Sequence, residues 1–191
     1  MQEKPDALKL YNAGKYTEAI TVCEAELADN PANMDSYAVL CWALLENRRF
    51  AEAEIRSSQA LALSAYDTRF LETFAEAKYQ QGKLAEALPL FQEYIGSVPY
   101  SLISRSRVHR AYYYMGEIYT RYAWYQHADI AFSTACRIMP NIDMWWVRLG
   151  SVREIQKQFS FALEAYTKAL EINPLSVDAR HGRDRVLTQL R

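Results

Sequence analysis

The chain has 191 residues, half of them apolar, with 22 Lys plus Arg balanced by 23 Asp plus Glu, and its six glycines leave little room for linker, so one folded domain is expected. The net charge of −1 argues against a nucleic-acid partner, although Arg105, Arg107, Arg110 and Arg121 with Tyr112 to Tyr114 form one basic, aromatic stretch with acids interleaved. The longest apolar run, Tyr37 to Leu45, is nine residues against the roughly 20 of a spanning helix, and the polar start Met1 to Asp6 lacks the apolar core of a signal peptide. The expectation is a cytoplasmic protein with no membrane span, or one of the cell envelope or periplasm if a targeting segment has been removed.

Five alanines mark the elements in chain order. Ala19, Ala53, Ala87, Ala128 and Ala162 are spaced 34, 34, 41 and 34 residues apart, one recurring unit with a single seven-residue interruption. Pro31, Pro99, Pro140 and Pro174 each follow a ladder alanine by twelve residues, Gly116 and Gly150 precede one by twelve, and Phe91, Phe132 and Tyr166 follow one by four. A small residue lets two helix backbones approach closely, the aromatic fills the groove beside it, and proline ends the second helix. Such a unit is one helix pair that cannot bury its apolar face alone, so neighbours stack into a superhelix with a concave surface suited to binding other chains.

Trp146, Leu149, Gly150, Ala162, Tyr166, Ala169 and Pro174, and likewise Tyr112, Gly116, Tyr119, Ala128, Phe132, Ala135 and Pro140, occupy the signature positions of the tetratricopeptide repeat, which the chain resembles over nearly its whole length. The first three units are more degenerate, with Cys41 and Ala75 where the first-helix glycine would stand. The resemblance implies an all-α, right-handed superhelical solenoid of about five antiparallel helix pairs plus a C-terminal capping helix. Its frame gives a single domain with repeats at about 1–33, 34–67, 68–101, 109–142 and 143–176, and a capping helix at 177–191. The insertion 102–108 amounts to two helical turns, so the most economical reading is a first helix lengthened from a cap at Ser101 to about Tyr122, with a displaced loop as the alternative. Gly182 costs the last helix roughly 1 kcal/mol relative to alanine, so fraying is expected there.

The resemblance also implies that partners bind the inner face of each first helix, as extended peptides or helices. In this register unit one presents Lys4, Leu8 and Tyr11, and unit two Asp35, Ala38, Trp42 and Leu45. The first helix of unit two is apolar nearly all round, so either the superhelix or a partner covers Trp42. Unit three presents Arg69, Glu72, Glu76 and Tyr79, and unit four Arg110, Tyr113, Glu117 and Arg121, where Glu117 and Arg121 stand at intrahelical pairing distance. Arginine and tyrosine dominate binding hot spots, which favours a docking face over a solvated one. Members of the family that grip a peptide's terminal carboxylate use two asparagines and three basic residues; Lys4 and Arg69 match, but Leu8, Val39 and Thr73 do not. The candidate groove is therefore Leu8, Tyr11, Trp42, Leu45, Arg69, Tyr79, Arg110, Tyr113, Glu117 and Arg121, receiving a protein segment that is apolar at one end and acidic nearer the arginines.

Cys23, Cys41 and Cys136 show no metal spacing and fall at packed positions, and His109, His127 and His181 have no acid or thiol at ligand or catalytic distance in sequence. No catalytic or phosphate-binding motif occurs, so the chain is expected to be an adaptor or scaffold, not an enzyme, with no cofactor and no metal. Residues 1 to 99 hold nine Lys plus Arg against fifteen Asp plus Glu, and 100 to 191 hold thirteen against eight. That polarity allows a homo-oligomer, or a structural subunit fixed in a larger assembly, as the alternative.

Overall fold

The turn inside each helix pair organises a computed structural model that describes residues 6–65 and 67–191. The described residues contain eleven α-helices and no strand. They divide at Ser97 and Val98 into two compact units where the sequence suggests one domain. The N-terminal unit holds α1 (Ala7–Asn12), α2 (Tyr16–Asp29), α3 (Met34–Glu46), α4 (Phe50–Leu63), α5 (Thr68–Gln80) and α6 (Leu84–Ser97). The C-terminal unit holds α7 (Val108–Arg121), α8 (Tyr125–Ile138), α9 (Asp143–Ile155), α10 (Phe159–Ile172) and α11 (Val177–Gln189).

Each pair is joined by three residues, and the middle one is left-handed: Gly14, Arg48, Gly82, Ala123 and Lys157, with φ of 74°, 59°, 77°, 58° and 60°. The following N–H reaches back five residues in every case, closing a six-residue turn, Lys15 to the Leu10 carbonyl at 3.0 Å and Trp124 to the Tyr119 carbonyl at 2.8 Å among them. This is the Schellman closure, which satisfies the orphan carbonyls of the first helix and reverses the chain. Between pairs, α2, α8 and α10 stop two residues short of Pro31, Pro140 and Pro174, and side-chain caps start the next helix: Asn33 accepts from the Ser36 amide at 3.2 Å and Asp67 from the Arg69 amide at 3.1 Å.

All five ladder alanines are fully buried. In the C-terminal unit the aromatic four residues on lies over glycine: a methyl group on Gly116 would come within 2.6 Å of the Phe132 ring, and one on Gly150 within 2.9 Å of Tyr166. Gly182 of α11 closes on the other side of Tyr166, whose hydroxyl donates to Glu154 at 2.8 Å. Gly182 is thus a buried packing position and not the weak point that propensity alone suggests. In the first two pairs of the N-terminal unit Cys23 and Ser57 stand where the ring would be, and volume comes instead from the first helices, through Leu40 and from Phe70 packed edge-on to Tyr37 at 6.4 Å; the third pair keeps a buried ring, Phe91. Accordingly α3, apolar nearly all round, is enclosed by α1, α2, α4 and α5.

The seven inserted residues do not lengthen a first helix. Tyr100–Arg105 form a 3₁₀ turn, Ser106 is extended, and α7 begins only at Val108. Ser106 supplies the reason: its hydroxyl donates to the Ile103 carbonyl at 2.8 Å and accepts from the Val108 amide at 3.5 Å, a local alternative to the helical ladder. The side chains of Ser104 and Arg105, expected on that extension, lie outside the described set.

A partly buried ionic cluster ties α4, α5 and α6 together. Glu54 receives Lys78 at 2.8 Å, Lys83 at 2.6 Å and Gln81 at 2.6 Å, and Lys78 also reaches Glu86 at 2.7 Å. Burial alone would raise the Glu54 carboxyl, but its hydrogen bonds with Lys78, Lys83 and Gln81 prevail and hold it at about 2. Its folded value lies below the unfolded one, so its stabilisation is complete above the ordinary carboxylate range and is lost as pH falls toward about 2. Glu54→Gln should lower unfolding free energy by about 2 kcal/mol at neutral pH and shrink the acid-induced loss, read by urea titration at neutral and acid pH. Three alanine substitutions should separate three roles of glycine in the same assay. Gly182→Ala, crowding Tyr166, should cost about 1–2 kcal/mol; Gly82→Ala, in open space but left-handed, should cost about 1 kcal/mol; Gly96→Ala, open and helical, should gain up to about 1 kcal/mol.

Candidate functional site

In the N-terminal unit the first helices α1, α3 and α5 carry the predicted groove residues, and packing sorts them. Leu8 is 46% exposed, whereas Leu45 is buried among Ala7, Ile20, Val39 and Leu44 and has no surface to offer, a correction to the expected groove. Trp42 and Tyr11 are half-buried with ring centroids 6.1 Å apart, so α1 covers one side of the indole. Tyr79 is half-buried on α5, and Glu72 and Glu76, expected on a face shared with solvent, are buried. Lys4 lies outside the described residues.

Arg69 is held by acids. Asp67 accepts from its Nε at 3.0 Å and its Nη2 at 2.6 Å, and Asp35 accepts from Nη1 at 2.8 Å. The hydrogen bond from Arg69 holds the Asp67 carboxyl below the usual range, with burial opposing. Beside this trio a cleft of about 550 Å³ opens, walled by Ala7, Leu8, Ala38, Val39 and Trp42 and edged by Asp6, Glu26, Asp35 and Arg69.

In the C-terminal unit α7 and α9 carry the counterpart. Tyr113 stacks on Trp145 with centroids 5.9 Å apart and planes at 25°, and Trp145 also meets His109 at 5.3 Å. Arg110 donates to the Tyr114 hydroxyl at 3.1 Å, and Arg121 is exposed at the end of α7. Glu117 pairs across helices with Arg148 at 3.0 Å, and Arg121, four positions on in the same helix, also acts on its carboxyl. Burial raises the Glu117 carboxyl, with Arg148 and Arg121 pulling it down, and burial likewise raises the Tyr113 phenol. Arg148 and Trp145 escaped notice in the sequence because neither stands at a position of α7; each contacts a residue 31 or 32 positions earlier, about one repeat away.

Chemistry of the nucleophilic or metal-dependent kind finds little to build on. Burial pushes the thiols of Cys23, Cys41 and Cys136 up to about 12, which makes them poor nucleophiles at neutral pH. Among the described residues no group of three or more His, Cys, Asp or Glu is placed to hold a metal, and no helix is long and apolar enough to cross a membrane.

Tandem helix pairs closed on small residues, with aromatic and charged side chains gathered on the first helices, define a helical-repeat fold. Residues 7–68 match the family model of the tetratricopeptide repeat. It is 22% identical to a peroxisomal targeting signal receptor of Kluyveromyces lactis, over 89% of this chain and 35% of that protein. It is 26% identical to anaphase-promoting complex subunit 3 of Schizosaccharomyces pombe, over 86% of this chain and 24% of that protein. The chain therefore spans about a third and a quarter of these relatives. In fold it is similar to YrrB, a repeat protein described as having an unusual peptide-binding site, with a TM-score of 0.69, 16% identity and coverage of 93% of this chain and 88% of that one.

The Glu117 environment gives a direct check on the C-terminal face. Removing Arg148 takes away the nearer of two cations that oppose burial, so Arg148→Ala should shift the Glu117 titration, followed by carboxyl carbon NMR, to higher pH.

Proposed function

We propose that the chain is a non-enzymatic adaptor that holds a peptide or helix of a partner protein on its first-helix faces. The observation that carries this reading is the division of labour along those helices. The ladder residues are wholly buried, while Leu8, the edge of Trp42, Tyr113 and Arg121 stay accessible on a rigid, capped framework. Held aromatic and arginine side chains lose little entropy on docking, which is what hot spots require. The printed descriptions of two similar proteins, a receptor for a targeting signal and a protein with a peptide-binding site, support a peptide ligand. Acidic partner residues fit the C-terminal unit, where Arg110, Arg121 and Arg148 accompany the aromatic stack.

Charge polarity favours a second reading, in which copies associate or the chain is a fixed subunit. The N-terminal unit carries nine Lys plus Arg against fifteen Asp plus Glu, and the C-terminal unit thirteen against eight. One set of samples separates the two. Leu8→Glu combined with Arg121→Glu, both at exposed positions, should reduce partner recovery from native extract at least about tenfold while circular dichroism stays unchanged. Full recovery removes the adaptor reading. Light scattering on the same protein at low salt decides the second, which a strictly monomeric mass rules out for self-association.

A further inference from the structure

The charge around the N-terminal cleft runs opposite to an acid-seeking groove. Arg69 is the one cation among its described lining residues, and its guanidinium is already shared by Asp67 and Asp35. Three lining residues are acids. Glu26 accepts from the Ser36 hydroxyl at 2.6 Å, Asp6 caps α1, and the Asp35 side chain is 89% exposed and meets Arg69 through Oδ1. The positive end of α3, which would otherwise draw an anion, is capped by Asn33 and flanked by Asp35. An incoming carboxylate therefore meets more negative charge than positive, and an incoming ammonium or guanidinium meets the reverse.

The walls select the rest. Leu8, Ala38, Val39 and Trp42 form an apolar surface, and the Trp42 Nε1 donor is buried with no hydrogen-bond partner. The ring lines the cleft.

We infer that the cleft takes a peptide segment of a partner protein that lays an apolar side chain against Leu8 and Trp42 and sets a lysine or arginine against Asp35. This rests on the adaptor reading and adds the sign of the charge recognised at this end, which is opposite to that suited to the C-terminal unit. Single-sign neighbours of Asp35 reject the wrong partner as much as they attract the right one.

The test uses the full chain and two short blocked peptides, one alternating leucine with lysine and one alternating leucine with glutamate. NMR titration should show the lysine peptide moving the Trp42 indole and Leu8 amide signals and binding at least about tenfold tighter than the glutamate peptide. Asp35→Asn should remove most of that preference, Asp6→Asn, which keeps its cap, should reduce it, and Glu171→Gln on α10 should leave it intact. If the glutamate peptide binds as tightly and moves the same signals, the charge assignment is overturned while the cleft remains a peptide site. If Asp35→Asn, still folded by thermal melting, keeps the full preference, the assignment is likewise overturned. If neither peptide moves the cleft signals, the inference fails and the N-terminal part of the adaptor reading fails with it.

Discussion

Where a ladder alanine brings two helices together, nothing larger than a methyl group fits, and the space beside the contact must be filled from the facing helix. In the C-terminal unit the solution is a ring on a glycine, Phe132 over Gly116 and Tyr166 between Gly150 and Gly182. Because the Tyr166 hydroxyl is fixed by Glu154, and Glu154 also receives Arg185 of α11 at 2.9 Å, the same ring positions the closing helix. The N-terminal unit meets the same constraint differently in its first two pairs, with Cys23 and Ser57 at the ring position and Leu40 and Phe70 pushed in from the first helices, and only its third pair uses a ring, Phe91. Its α3 becomes core on almost every side, and little of that helix remains for a partner beyond the cleft at Trp42.

Equal units joined by equal turns bring residues one repeat apart into contact, and this spacing generates the surface chemistry. Asp35 and Arg69 are 34 positions apart, the same site in successive repeats, and pair at 2.8 Å. Asp129 with Arg153 and Glu154 with Arg185, 24 and 31 apart, bridge neighbouring helices in the same way. Gln81 and Gln156 each reach a carbonyl 31 residues earlier, those of Phe50 and Tyr125, at 3.3 Å. A charge on an inner face is therefore seldom a lone charge. Its neighbour in the next repeat is close enough to set its orientation.

Much of the fold was legible because small-residue spacing survives degeneracy: an alanine that cannot be enlarged marks its position whatever surrounds it. The chain reversals were harder to see, since the left-handed site is Gly14 and Gly82 in two turns but Arg48, Ala123 and Lys157 in the others. Glycine removes the strain there without being required, because the six-residue closure can carry a non-glycine residue at a cost of roughly 1 kcal/mol. The insertion was misjudged for a related reason. Counting seven residues as two turns ignores the Ser106 hydroxyl, which competes for the same backbone groups. Leu45 and Arg69 show the limit of a register: it gives the direction of a side chain but not the depth of the neighbour, and it cannot say that Asp67 wraps a guanidinium.

That limit bears on what an arginine at a groove position means. The charge that a partner meets is the sum over the cluster in which the residue is held, not the charge of the residue itself. Around Arg69 the sum is negative, because Asp35 and Asp67 outnumber it before Asp6 and Glu26 are considered. Around Arg148 the carboxylate of Glu117 is a partly buried partner, with Arg121 near enough to lower its titration. Equivalent first helices thus hold different charge clusters, set by which of the neighbours packed against them are acids. An ion already paired in this way costs less to desolvate on binding than an isolated charge would.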